Sequence, residues 1–242
     1  MGHPVSGIGR RWRAASLAVC LVVALPAAAG TLHSTYIDPA AMALQRVLPP
    51  PPTPGSEAAK EDMRAVEAAV HARTPEDEQR ITANLPCTLD RFTGVLGPTF
   101  TVETMPVTAA LIAHVFQDGE LAVLAAKAVI DRPRPYTLKP DLATFGHRSA
   151  SASYPSGHAT FGYLAATVLG QLVPDKRRAL FAFAASYGAN RMIAGTHFPS
   201  DLEAGKIAAA VIAETLFKDP RFQADYARAA AEVATLGRAA HR

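Results

Sequence analysis

The sequence predicts an all-α, single-domain helical bundle, and three observations carry that prediction. Helix formers dominate the 242 residues, alanine above all, while β-branched runs are sparse. Apolar stretches alternate with Ser, Thr, Asp and Pro punctuation of the kind that starts helices. The chain is 49% hydrophobic and 19% charged, a globular balance, and its length suits one domain with a sizeable core or at most two small ones.

Residues 1–29 read as a secretory signal peptide. Arg10, Arg11 and Arg13 form a positive n-region, residues 14–25 a short apolar run, and Pro26 with Ala27-Ala28-Ala29 a helix breaker and small-residue cleavage site. The run is too short for a bilayer anchor; an uncleaved anchor is the alternative. A second segment, 30–55, has helical character around 39–47. It then runs through Pro49-Pro50-Pro51-Pro52-Thr53-Pro54-Gly55, a polyproline II spacer.

The helical domain proper spans 56–242. Ser56 caps a helix with apolar positions at Met63, Val66, Ala69 and Val70, and Thr74 with Pro75 opens another. Two helices are expected over 107–130, separated by a cap at Gln117-Asp118-Gly119-Glu120. Apolar helices follow at 159–173 and 177–187. Ser200-Asp201-Leu202-Glu203 has a capping-box pattern leading into 207–217, and 220–242 is an amphipathic or partly frayed tail. No apolar stretch reaches the roughly 18–20 uninterrupted residues of a membrane span. These read as core helices of a soluble bundle, with no stable membrane association once the signal is removed.

Charge and cysteine content exclude several functions. The formal +3 charge resides in the leader: 24 Lys and Arg less its three arginines leaves 21, against 21 Asp and Glu. The mature chain is formally neutral, so the pI near 9.0 is no sign of nucleic-acid binding. Cys20 lies in the leader and Cys87 is alone in the mature chain, so no intramolecular disulfide forms. No H-x-x-x-H, cysteine pair or acidic cluster marks a metal site, and no cofactor is expected.

Three segments carry the chemistry. In the first, Lys127 sits near a helix C-terminus, and Pro133 and Pro135 hold Arg132 and Arg134 extended, so that Lys127 and Arg134 can converge on one anion. In the second, Tyr154-Pro155-Ser156-Gly157-His158, Ser156 caps a helix whose free N–H groups and dipole favour an anion. Gly157 permits close approach, and His158 lies in the first turn. In the third, Asn190 and Arg191 precede His197, which stands before a helix whose first turn holds Asp201. A carboxylate on one imidazole nitrogen leaves the other as a directed lone pair. Each segment alone has a bland reading as a solvated turn, a helix cap or a bracing pair. Together they supply what a tetrahedral oxyanion and a phosphoryl transfer through histidine require. Ser156 as a serine-hydrolase nucleophile lacks the G-x-S-x-G elbow.

In this order, K-x6-R-P, P-S-G-H and S-R-x5-H-x3-D resemble the signature of the phosphatidic acid phosphatase type 2 superfamily. That group includes vanadium haloperoxidases and bacterial class A non-specific acid phosphatases, and the chain resembles the class A phosphatases most. Asn190 departs from the pattern, standing where the signature has serine. The resemblance implies the all-α acid phosphatase/vanadium haloperoxidase fold and a metal-independent acid phosphatase acting on small phosphate monoesters. It implies His197 as nucleophile forming a phosphohistidine, Asp201 orienting it and His158 as general acid and base at mildly acidic pH. Lys127, Arg134, Ser156, Gly157 and Arg191 would bind the phosphate. With the signal peptide, it implies a periplasmic or secreted enzyme, with homo-oligomerisation left open. The rivals are a vanadium-dependent haloperoxidase, a lipid phosphate phosphatase and a phosphate-binding protein with a degenerate site.

Overall fold

The computed structural model describes residues 33–240, so the signal peptide expected at 1–29 lies outside the described residues. Among the described residues every regular element is helical. Capping chemistry explains several starts. Asp38 accepts the amides of Ala40 (3.0 Å) and Ala41 (3.2 Å) to open α1 (Pro39–Met42), and Ala43, at a φ of 43°, breaks it from α2 (Leu44–Val47). Ser56 accepts from the Ala59 amide at 3.2 Å to start α3 (Glu57–His71). Thr74 and Asp77 exchange hydrogen bonds in a capping box that opens α4 (Pro75–Ala83). A 3₁₀ turn (Leu89–Phe92) and the single turn α5 (Thr93–Leu96) lead to α6 (Pro106–Ile130).

After α6 come the single turn α7 (Pro135–Leu138), then α8 (Gly157–Leu172), α9 (Arg177–Ile193), α10 (Pro199–Lys218) and α11 (Pro220–Ala240). The α10 start lies earlier than the expected cap: Phe198 is the N-cap, and its amide donates to Asp201 Oδ2 at 2.8 Å.

One expectation fails. Residues 107–130 form one helix, not two. The Gln117-Asp118-Gly119-Glu120 cluster looks like a cap, but Asp118 caps a different part of the chain. Its buried carboxylate accepts the amides of Thr35 (2.5 Å), Tyr36 (2.7 Å) and Ile37 (3.2 Å). Gly119 lies within the helix where α8 passes close by: a Cβ there would stand 3.1 Å from Leu164 Cδ2. The segment Pro106–Leu138 is long and apolar enough to cross a membrane by length and composition, although Asp118, Glu120 and Lys127 interrupt it, and half of its qualifying window is buried inside the protein.

Helix α8 lies at the centre, packed against α6, α9 and α10. Small residues set its spacing. A Cβ on Gly205 of α10 would fall 2.7 Å from the Ser156 carbonyl oxygen and 2.8 Å from Ala159 Cβ, so only glycine lets α10 cross the start of α8. The N-terminal segment belongs to the same core: Tyr36, Ile37, Leu44 and Leu48 are buried with the helices, and Tyr36 Oη donates to Asp225 at 2.7 Å. The extended Pro-rich stretch is tied to the site's loop by a hydrogen bond from Tyr154 Oη to the Pro49 carbonyl.

Replacing Asp118 by Ala strips two buried amides and one partly buried amide of their acceptor. The expected loss is about 2–4 kcal/mol of stability, at roughly 1–3 kcal/mol for an unsatisfied buried group. Urea unfolding of the purified variant measures it, and a loss under about 0.5 kcal/mol would show that the 35–37 strap does not depend on this carboxylate.

Candidate active site

The site forms where the end of α6 and the starts of α8 and α10 meet the last turns of α9. The prolines act as expected: Arg134 is extended (φ −79°, ψ 159°) at the start of α7 and turns its guanidinium inward. It donates from Nε to the Ser151 carbonyl (2.8 Å) and from Nη1 to the Thr196 carbonyl (3.0 Å), and Nη1 also lies 3.1 Å from His197 Nε2. Lys127, in the last turn of α6, donates Nζ to the carbonyls of Ala152 and Ser153. Burial, then the neighbouring Arg134 charge, pushes the Lys127 ammonium down to about 7, with Asp201 opposing.

His197 is fully enclosed. Its Nδ1 lies 3.3 Å from Asp201 Oδ2, and Arg134 donates at the opposite nitrogen. These two partners favour the tautomer with the proton on Nδ1 and the lone pair on Nε2. Burial pushes the imidazole down to about 3; Arg134 and Lys127 push the same way, while Asp201 opposes. Burial acts to raise the Asp201 carboxyl, but His197, Arg132 and Ser153 together outweigh it and hold it below the usual carboxylate range.

His158, in the first turn of α8, stacks on Tyr187 with ring centroids 5.7 Å apart and hydrogen-bonds the Leu85 backbone. Its Nε2 is buried with no hydrogen-bond partner. Burial, then Arg191, pushes this imidazole down to about 3. The Arg134 and Lys127 charges push the same way, so the pocket's own cations disfavour a further positive charge on His158. Arg191 follows from an α9 longer than expected, and its Nε and Nη1 are likewise buried without partners.

A cavity of about 260 Å³ brings together Lys127, Arg134, Gly157, His158, Arg191 and His197. Ser156 and Asp201 stand behind it. The Ser156 hydroxyl oxygen accepts the Ala159 amide at 3.4 Å, and its own amide donates to the Asp201 carbonyl at 3.0 Å. Asn190 also lies outside the cavity lining: Oδ1 accepts from Arg80 Nε at 3.1 Å and Nδ2 is buried without a partner. Three buried cations, unpartnered Arg191 donors and a helix N-terminus at Gly157 make a site for an oxyanion.

Sequence reasoning missed the support behind Asp201. Arg132 donates from Nη1 to Asp201 Oδ1 (2.6 Å) and Ser200 Oγ (2.7 Å), and from Nη2 to Asp62 Oδ2 (2.7 Å). Its guanidinium lies 4.1 Å from the centre of the Phe198 ring. Ser153 adds a 2.5 Å hydrogen bond to Asp201 Oδ2. Arg132 could have been suspected from its place in the Arg-Pro-Arg-Pro run; Asp62, on α3, carries no local signal.

Both histidines hold their proton less tightly folded than unfolded, where the value is near 6.5. Their contribution to stability is whole above about pH 6.5 and is lost as pH falls toward 3, because the unfolded chain takes up protons the folded one refuses. The urea midpoint is expected to drop between about pH 7 and 4, less so in His158→Gln, and to recover partly with inorganic phosphate, whose charge favours imidazolium. A midpoint flat across that range would refute the lowered proton affinities.

The chain is 29% identical to a non-specific acid phosphatase of Providencia stuartii over 200 residues, covering 78% of this chain and 80% of that protein. It is 26% identical over 228 residues to a non-specific acid phosphatase of Salmonella typhimurium (88% and 89% covered) and 28% identical over 203 residues to an acid phosphatase of Zymomonas mobilis (80% and 76%). The crystal structure of a transmembrane PAP2-type phosphatidylglycerolphosphate phosphatase from Bacillus subtilis superposes with a TM-score of 0.49 at 21% identity, covering 73% of this chain and 92% of that one. Residues 104–224, half of the sequence and the part that holds the cavity's cations and both histidines, match the PAP2 superfamily model, and the chain belongs to that superfamily.

Proposed function

We propose that this PAP2 enzyme is an acid phosphatase that hydrolyses small phosphate monoesters through a phosphohistidine. The observation that carries the reading is the pairing of His197, held at Nδ1 by Asp201 with its Nε2 against Arg134 in a cavity lined by buried cations, with a second histidine whose Nε2 has no partner. Lys127, Arg134, Arg191 and the Gly157 amide hold the non-bridging oxygens, with Ser156 fixing the helix start behind Gly157. A phosphoryl oxygen takes over the Arg134 N–H that lies against Nε2, freeing the lone pair.

His197 Nε2 then attacks phosphorus as the bond to the alcohol oxygen breaks, and His158 delivers a proton to that oxygen. In the second half, His158 takes a proton from water as the water oxygen bonds phosphorus and the P–N bond returns its electrons to Nε2. Asp201 holds the Nδ1 proton throughout and balances the charge that develops on the ring. The substrate answers the pocket's cations: its negative charge offsets Arg191, Arg134 and Lys127, so the His158 imidazole gains its proton as the ester binds. Because the chain's own cations meet the transferring group's charge, the reading needs no metal. The leader at 1–29 supports action in the periplasm or outside the cell. A lipid phosphate is the second reading, favoured by the span-length apolar helix α6.

The His197→Ala variant is expected to fold and to lose hydrolysis of p-nitrophenyl phosphate. Rapid quenching of the wild type with labelled substrate should trap an acid-labile, base-stable phosphoenzyme that the variant lacks. Turnover retained in the variant would remove His197 as nucleophile. Vanadate should inhibit and EDTA should not; a chelator-sensitive rate restored by metal would end the metal-independent reading. Arg132→Ala is expected to lower kcat about 10–100-fold with a smaller change in KM, the range for losing a group that orients a working residue. Steady-state kinetics separate the two constants, and a pure KM effect would point to substrate binding instead.

A further inference from the structure

The cavity's lining holds chemistry that phosphoryl transfer does not use. Beside the cations and histidines it includes the apolar side chains of Leu85, Phe116, Val123, Leu124 and Phe161. Leu85 and Leu124 are 43% and 38% exposed, so the mouth is apolar as well. Among the described residues lining the cavity, Glu120 is the one carboxylate. It lies on α6 two helical turns before Lys127, an axial rise of about 10 Å. One face of α6 thus carries a cation at the phosphoryl end and an anion roughly one aromatic ring farther out. At about 260 Å³ the cavity is smaller than the roughly 300–1,000 Å³ of pockets that take drug-sized ligands, which suits the ester of a small alcohol.

When a phosphoryl dianion pairs with Lys127, Arg134 and Arg191, their charges are offset, and Glu120 is the acidic side chain on the wall beside the leaving group. We propose that Glu120 is a specificity-determining residue. With the apolar wall, it selects phosphate monoesters of small, apolar, neutral or cationic alcohols and disfavours alcohols that carry further negative charge. This rests on the phosphatase reading above. Two carboxylates about 6 Å apart, at an effective dielectric of about 40, repel enough to alter relative turnover about tenfold.

Three esters of similar size separate the terms: phenyl phosphate, 4-carboxyphenyl phosphate and 4-(aminomethyl)phenyl phosphate. Their kcat/KM values are compared in the wild type, Glu120→Gln and Glu120→Lys; comparing ratios between proteins cancels each ester's intrinsic reactivity. The carboxylated-to-neutral ratio is expected to rise about three- to tenfold in Glu120→Gln and further in Glu120→Lys, and the amine-to-neutral ratio to fall. In the wild type alone, raising salt from roughly 0.02 to 0.5 M should narrow the spread among the three. Ratios unchanged within twofold across the proteins, with no salt effect, would overturn the role of Glu120 and leave the phosphatase reading standing. A wild type that releases phosphate from none of the three esters overturns that reading, and this inference with it.

Discussion

The Asp201 carboxylate is the interaction on which the rest of the site depends. It is fully buried and faces His197 Nδ1, Ser153 Oγ, the Phe198 amide and the Arg132 guanidinium. A carboxylate taken out of water without such partners would be driven to its neutral form. Here the partners keep it charged, and a charged Asp201 fixes both the tautomer and the aim of His197. The same residue's carbonyl accepts the Ser156 amide, so one residue joins the starts of α8 and α10. Gly205, a turn later, has no Cβ to hold the two helices apart. Each of those helix starts has a histidine beside it.

The cost of the arrangement is electrostatic. Lys127, Arg134 and Arg191 are buried together; burial lowers the proton affinity of all three, and the Arg134 charge lowers that of Lys127 and Arg191 further. Backbone carbonyls from the 151–153 loop and Thr196 satisfy Lys127 and Arg134 in part, while two Arg191 donors have no partner. A cluster of this kind is stabilised by an anion and discriminates by charge, which is why the nature of the leaving group matters at its open end. Behind the cluster, Arg132 bridges Asp201 to Asp62 and so ties the site to α3, an element that contributes nothing to the cavity lining itself.

Local signals were legible wherever local chemistry decides the outcome. Ser56, Thr74 and Ser156 cap the helices that their positions suggest, since a cap is completed by the next three residues. Asp118 misled for the same reason: its composition matches a cap, but its amide partners lie some eighty residues earlier at 35–37. Asp62 and Arg132 escaped notice because a bridge between α3 and α10 leaves no periodicity or spacing in the chain. Asn190, which stands where the signature has serine, braces α9 against Arg80 on α4 through its amide oxygen.

By itself the sequence determined the all-α class, the caps and the identity of the cations and histidines. Those depend on residue type and on neighbours within a turn or two. The tertiary structure alone decided which of them share a cavity, with Ser156, Asp201 and Asn190 set behind its lining, and which protonation states they hold. Proton affinity depends on burial and on charges brought in from distant segments. That is why His158, legible in the sequence as a first-turn histidine, has its proton affinity lowered by burial and Arg191, with its Nε2 buried and without a partner.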